Sequence, residues 1–315
     1  MFVARGIGIS LALCVLLYVP ASLAVSRGWD LCLKVCRPRS ARGSANLLFV
    51  LRMLPFMLAS VFTLVFTLPS FLLLEPRSTD EAVGTVPLLL GLGCVALMGV
   101  GIVQAASAQM RTSRALAQWL DGSTAMDSGV TVPVFRTRED APSLTVTGVC
   151  APRVLVSEAA ITALTAPELR AALKHEVAHA LASDNLKKLL FRFSVFPGMA
   201  GLERAWAEQT ELAADDAAVS CSRDALDLAG ALIKVSRLTT LRPQAALTTG
   251  LLHASNALGT RVQRLLCWQP SAESATPGAH WGYLVPLLGG ALALVVVTYG
   301  ATLTGLHAVT EWLVR

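Results

Sequence analysis

Four long runs without a charged residue punctuate the chain: Ile7 to Val25, Met53 to Leu74, Val86 to Ala106 and Trp281 to Leu303. At 1.5 Å of rise per residue each is long enough to cross about 30 Å of hydrocarbon, and the pattern predicts four transmembrane helices. Pro20, Pro55, Pro69 and the glycines Gly91, Gly93, Gly99 and Gly101 would weaken helices in water. They are ordinary in spans that pack against neighbours. The first run, with Arg5 before it and Ala21, Ser22 and Ala24 near its end, also has the outline of a signal peptide.

Between the third and fourth runs the pattern changes. Thr131 to Arg138 and Ser143 to Ser157 carry β-branched, partly alternating residues, broken by Glu139-Asp140-Ala141-Pro142 and Ala151-Pro152, which predicts a small sheet. Thr165-Ala166-Pro167-Glu168 has capping-box spacing with Pro167 in the first turn, and opens a helix through about Ser183, with Asp184-Asn185 as its stop. Helical periodicity returns from about Leu202 to Cys221 and from Arg223 to about Leu238. The apolar segment Leu189 to Leu202, with Phe191, Phe193, Phe196 and Pro197, is too short to span and reads either as interfacial or re-entrant or as a buried helix. The chain thus divides into a membrane domain (1–110), a soluble α+β domain (111–268), a linker (269–280), a fourth span (281–303) and a tail (304–315). The predicted fold class is a mainly α membrane protein carrying one α+β domain with a small sheet.

Composition agrees with a membrane solvent: 54% of residues are apolar, 15% are charged and the mean hydropathy is +0.59. Charge orients the spans. Arg27, Lys34, Arg37, Arg39 and Arg42 crowd the first connection against Asp30 alone, which predicts a cytoplasmic loop and, by alternation, an external N-terminus and a cytoplasmic soluble domain in the cell (inner) membrane. Residues 107–280 hold 17 Lys and Arg against 16 Asp and Glu, so basic loops account for most of the net +5 and no nucleic-acid partner is expected. The seven cysteines form no CxxC pair and give no disulfide framework.

Chemistry concentrates in His175-Glu176-Val177-Ala178-His179, inside the capped helix. Residues four apart share a helical face, so both imidazoles reach one metal ion, while Glu176, rotated by about 100°, addresses a water on it. For five histidines and eleven glutamates in 315 residues the motif arises by chance in roughly 0.3% of chains, so coincidence is a poor explanation. One Zn2+ per chain suits imidazole and carboxylate ligands with an open water position, and a carboxylate that takes the proton of such a water and passes it on hydrolyses amide bonds. A third ligand is expected on a separate element. Glu211, in Glu211-Leu212-Ala213-Ala214-Asp215, is assigned to it, with Glu208 as the rival. Asp215, one turn later, is placed to accept a hydrogen bond from a ligating histidine. His253, Arg261 and Arg264 are further candidates for oxyanion stabilisation, weighed as structural.

The run Pro152-Arg153-Val154-Leu155-Val156-Ser157, then HEVAH, then Ser183-Asp184-Asn185-Leu186, then ELAAD resembles membrane gluzincin peptidases, above all the BlaR/MecR antirepressor family. The HExxHxxxxD and ExxxD spacings are also similar to HtpX and CAAX-prenyl proteases. The resemblance covers about residues 130 to 268 and implies zinc on His175, His179 and Glu211, Glu176 as general base, and supporting roles for Asp184 and Asp215. BlaR-like sensors also carry three spans before the protease domain and one after it. Only the short tail 304–315 follows the fourth run, so β-lactam sensing by this chain is not expected. The expected function is a membrane-bound zinc endopeptidase acting on a protein or peptide, such as a repressor or membrane protein, in regulatory proteolysis. A quality-control protease and a non-catalytic membrane scaffold are the alternatives.

Overall fold

The computed structural model describes residues 2–75, 84–138, 141–238, 248–250, 258–269 and 297–309. Three helices among these are long and apolar enough to cross a membrane: Arg5–Cys36 within α1 (Phe2–Cys36), Ala41–Leu74, and Thr85–Leu120. The second comprises α2 (Ala41–Phe62), a π turn at Thr63–Thr67 and α3 (Leu68–Leu74), and the third is α4 (Thr85–Leu120). The fourth predicted span lies mostly outside the described residues, and 297–309 is helical.

These helices outrun the uncharged stretches that predicted them. The basic connection after the first span is itself largely helix, because nothing interrupts α1 before Pro38 and the short gap ends at Ala41. The π turn has a local cause. Pro69 has no N–H to offer the carbonyl four residues back, Val65, and its ring crowds that carbonyl. The Tyr299 hydroxyl donates to the Val65 oxygen at 2.9 Å, satisfying a group that lipid would leave bare.

The chain forms two compact units, Met1–Arg27 with Met53–Gly99 and Ser271–Arg315, and Gly28–Arg52 with Val100–Pro270. In the first, Ile9, Leu13 and Phe71 form a small buried cluster with Leu306 packed on it. A Cβ at Gly91 would stand 3.1 Å from the Gly8 carbonyl oxygen, so the two backbones approach as only small residues permit. Arg5 and Glu75 form a buried ion pair at 3.2 Å.

The second unit holds a five-stranded mixed sheet in the order β1-β2-β4-β3-β5. Its strands are β1 (Thr124–Met126), β2 (Val134–Thr137), β3 (Leu144–Thr147), β4 (Arg153–Ser157) and β5 (Thr248–Gly250). β2 and β4 run parallel, with Val134 opposite Val154; the other pairs are antiparallel. The predicted sheet region yields β2, β3 and β4, and the turn at Gly148, with φ of 95°, needs a residue without a side chain. Helices follow: α5 (Glu158–Ala163), α6 (Ala166–Leu181), α7 (Asp184–Phe193), α8 (Ala200–Ala218), α9 (Ser222–Leu238) and α10 (Leu258–Leu266). Val146, Val154 and Val156 from the sheet and Leu173, Leu228 and Leu232 from the helices share one buried core.

α6 starts as its sequence dictates. Thr165 accepts from the Glu168 N–H, Glu168 reaches back to the Thr165 N–H, and Pro167 sits in the first turn. The predicted stop at Asp184-Asn185 is corrected in one respect: α6 ends at Leu181, but Asp184 opens a new helix. Ser183 takes a left-handed conformation, φ 55°, which reverses the chain in one residue and starts α7 at once. The segment after Leu189 forms no helix of its own. Phe191 is buried against Trp206, with ring centroids 4.9 Å apart, and Arg52 donates to the carbonyls of Phe191 and Ser194 and to Glu203.

Candidate metal centre

The structure brings His175, Glu176, His179, Glu211, Asp215 and Asp184 into one buried cluster, none of them more than 4% exposed. α6 supplies His175, Glu176 and His179, α8 supplies Glu211 and Asp215 on one face a turn apart, and α7 supplies Asp184. Glu208, the rival ligand, is exposed and does not join them. His253 lies outside the described residues.

A carboxylate stands behind each imidazole: His179 Nδ1 is hydrogen-bonded to Asp184, whereas His175 Nδ1 lies within ion-pair distance of Asp215 without hydrogen-bond alignment. His175 Nδ1 faces Asp215 Oδ1 at 3.0 Å, and His179 Nδ1 faces Asp184 Oδ2 at 2.8 Å. Proton-bearing Nδ1 atoms toward the carboxylates leave both Nε2 lone pairs pointing inward. The two Nε2 atoms stand 3.2 Å apart, and the Glu211 oxygens lie 3.5 Å from that of His175 and 3.6 Å from that of His179. The 3.5 Å distance is to Glu211 Oε2 and the 3.6 Å distance to Oε1, so each imidazole nitrogen faces one carboxylate oxygen across a gap that a metal ion could occupy. In the metal-free site a proton on one Nε2 bridges the separation between the two rings, and a divalent ion would take its place. His175, His179 and Glu211 are accordingly a group able to hold a metal ion.

Glu176 is held differently. Its Oε2 accepts the Val146 N–H at 2.9 Å, so β3 fixes the carboxyl, while Oε1 is buried without a partner among the described residues. Asn185 locks the same strand by donating to the carbonyls of Val146 and Gly148 at 3.3 and 3.2 Å. β3 lies between β4 and β5, so it is not an edge strand.

Arg261, on α10, closes the cluster from the far side. Its Nε and Nη2 donate to the two Asp215 oxygens at 2.8 and 2.6 Å, and Nη1 donates to Glu211 Oε2 at 2.8 Å. Sequence reasoning weighed Arg261 as an oxyanion stabiliser and preferred a structural role, without foreseeing its link to Glu211 and Asp215. Its partners lie 46 and 50 positions away, and no local pattern announces them. Lys188 was missed altogether. Burial lowers its ammonium to about 8, against the pull of the Glu211, Asp184 and Glu176 charges.

Electrostatics follow from this packing. Burial would lower the His175 imidazole, yet Asp215 and Glu211 outweigh it and hold it up at about 9. Burial lowers His179, with Glu211 and Asp184 opposing. Burial would raise Glu211, but His179, His175 and Arg261 hold it well below the usual carboxylate range. Glu176 is pushed up to about 7 by burial, with the His175 charge opposing. The cluster therefore pairs firmly ionised carboxylates with one carboxyl poised near neutrality. Comparison with models of protein families and with curated proteins finds no match for the chain.

Proposed function

We propose that the protein is a membrane-bound zinc endopeptidase that cleaves a cytoplasmic or membrane-proximal protein. The observation that carries this reading is Glu176: a scaffolding metal site needs only its ligands, whereas here a carboxyl beside the three donors is fixed at one oxygen and left unbonded at the other. When bound, zinc supplies Lewis acidity toward a scissile carbonyl and toward water. The chain's own residues do the rest. Glu176 Oε1 would take the proton of the attacking water and return it to the leaving amine. Asp215 and Asp184 keep the histidines in the ligating tautomer, and Arg261 holds Glu211 in place.

The donor atoms are almost fully enclosed, so a peptide reaches them only when a covering segment moves. Such a site suits a peptidase activated by a signal better than one open to any unfolded chain, which favours regulatory proteolysis over quality control. The charge of the first connection supports a cytoplasmic catalytic domain in the inner membrane. The test is casein cleavage by detergent-purified protein. Glu176→Gln should lower turnover by about 10³-fold with zinc content unchanged; equal cleavage by wild type and variant would sink the peptidase reading.

A further inference from the structure

A cavity of about 750 Å³ opens beside α6, and none of the metal-site residues lines it. Its wall carries three cations, Arg42, Lys174 and Lys187, and no carboxylate, with apolar surface from Val130, Val177 and Leu181. The lysines each have an acidic neighbour outside the wall: Lys174 Nζ lies 3.7 Å from Asp224, and Lys187 donates to Asp184 at 3.4 Å. Arg42 differs. Among the described residues its Nη1 is buried without a hydrogen-bond partner, a cost that an anion in the cavity would recover. Arg42 also stands in the first turn of α2, the helix that runs on into the apolar span ending at Leu74.

We propose that this cavity binds the phosphate of an anionic phospholipid. Guanidinium is the side chain best matched to phosphate oxygens, and basic pockets at the ends of spans take anionic headgroups. Inorganic phosphate offers the same charge but nothing for Val130, Val177 and Leu181, which the first carbons of the lipid cover. The volume lies in the range that holds small ligands. The assignment stands independently of any peptidase activity.

The test uses the full chain, delipidated in non-ionic detergent and mixed with phosphatidylglycerol, phosphatidylcholine or inorganic phosphate, with bound lipid counted by native mass spectrometry. Selective retention of phosphatidylglycerol is expected, falling about tenfold or more in Arg42→Gln. Leu181→Asp should act in the same direction by placing a like charge at the rim, and Leu181 is 72% exposed, so the fold tolerates it. Arg39→Gln, an exposed cation outside the cavity, should change nothing. Equal retention of the two lipids, or undiminished retention in both Arg42→Gln and Leu181→Asp, would overturn the proposal. Displacement of the lipid by equimolar inorganic phosphate would make this a free-phosphate site, and displacement by a Glu-rich peptide at lower concentration would make it a protein-docking site; either result removes the lipid assignment.

Discussion

In the three long helices, large apolar side chains such as Leu64, Leu73 and Leu89 stand 64%, 71% and 68% exposed, and much of what is buried is small or polar: Ala12, Ser22, Thr67, Ser70. In the unit that carries α6 the arrangement is reversed, with Val154, Leu228 and Leu232 fully enclosed and a charged cluster sealed among them. Apolar surface faces outward where the solvent is lipid and inward where it is water. Polar groups follow the same division. In the membrane unit Ser70 donates to the Leu303 carbonyl at 2.8 Å, whereas the hydroxyls of Ser10, Ser22 and Thr67 are buried without a partner among the described residues. Around α6 they hold one another in a geometry that could take a metal ion.

The sharpest way to probe this contrast is to break a buried pair beside an exposed one. Arg261→Met strands Glu211 and Asp215 as buried carboxylates and should destabilise the protein by about 3–5 kcal/mol. Arg264→Met, which removes a partly exposed pair with Asp216, should cost less than about 1 kcal/mol. Chemical denaturation in detergent, with zinc chelated, separates the two. A gap of similar sign but smaller size is expected for leucines. Leu232→Ala should cost about 2–5 kcal/mol, whereas Leu64→Ala on the outward face of its helix should cost under about 0.5 kcal/mol. Comparable losses from the two would mean that the outward face of the span packs against protein.

The gentlest probe is pH. His175 sits at about 9 against an ordinary 6.5, so in chelated protein its ion pairs contribute stability that is fully present below about 6.5 and lost as pH rises through 9. Zinc displaces that proton, so its affinity should rise about tenfold per pH unit between those values and level off above. Metal titrations at a series of pH values, with unfolding curves at the same points, read both trends. A pH-independent affinity over that window would place the His175 proton elsewhere.

Much of the unit that carries α6 was legible because its signals are local. The Thr165 to Glu168 box fixed the start of α6, and the four-residue spacing of His175 and His179 needed nothing beyond helix geometry. Glu211 was separable from Glu208 only by its Asp215 companion one turn on. What escaped depends on distant contacts. Asp184-Asn185 reads as a helix stop, and only the left-handed Ser183 turns it into the start of α7. Thr248–Gly250 gives no strand signal of its own and pairs with β3 about a hundred residues earlier in the chain. The ties of Arg261 to Glu211 and Asp215 arise from packing between helices far apart in sequence. The spans were found from composition, yet their extra turns were not, since charge marks where hydrocarbon ends and not where a helix does.

The measurement closest to the central claim is the metal content of detergent-purified wild type, His175→Ala and Glu211→Ala by inductively coupled plasma mass spectrometry. The account predicts about one zinc per chain in the wild type and a marked fall in both variants, because each removes one of the three donors that meet in the structure. A wild type without zinc, or a Glu211→Ala protein that holds it as firmly as the wild type, would contradict it.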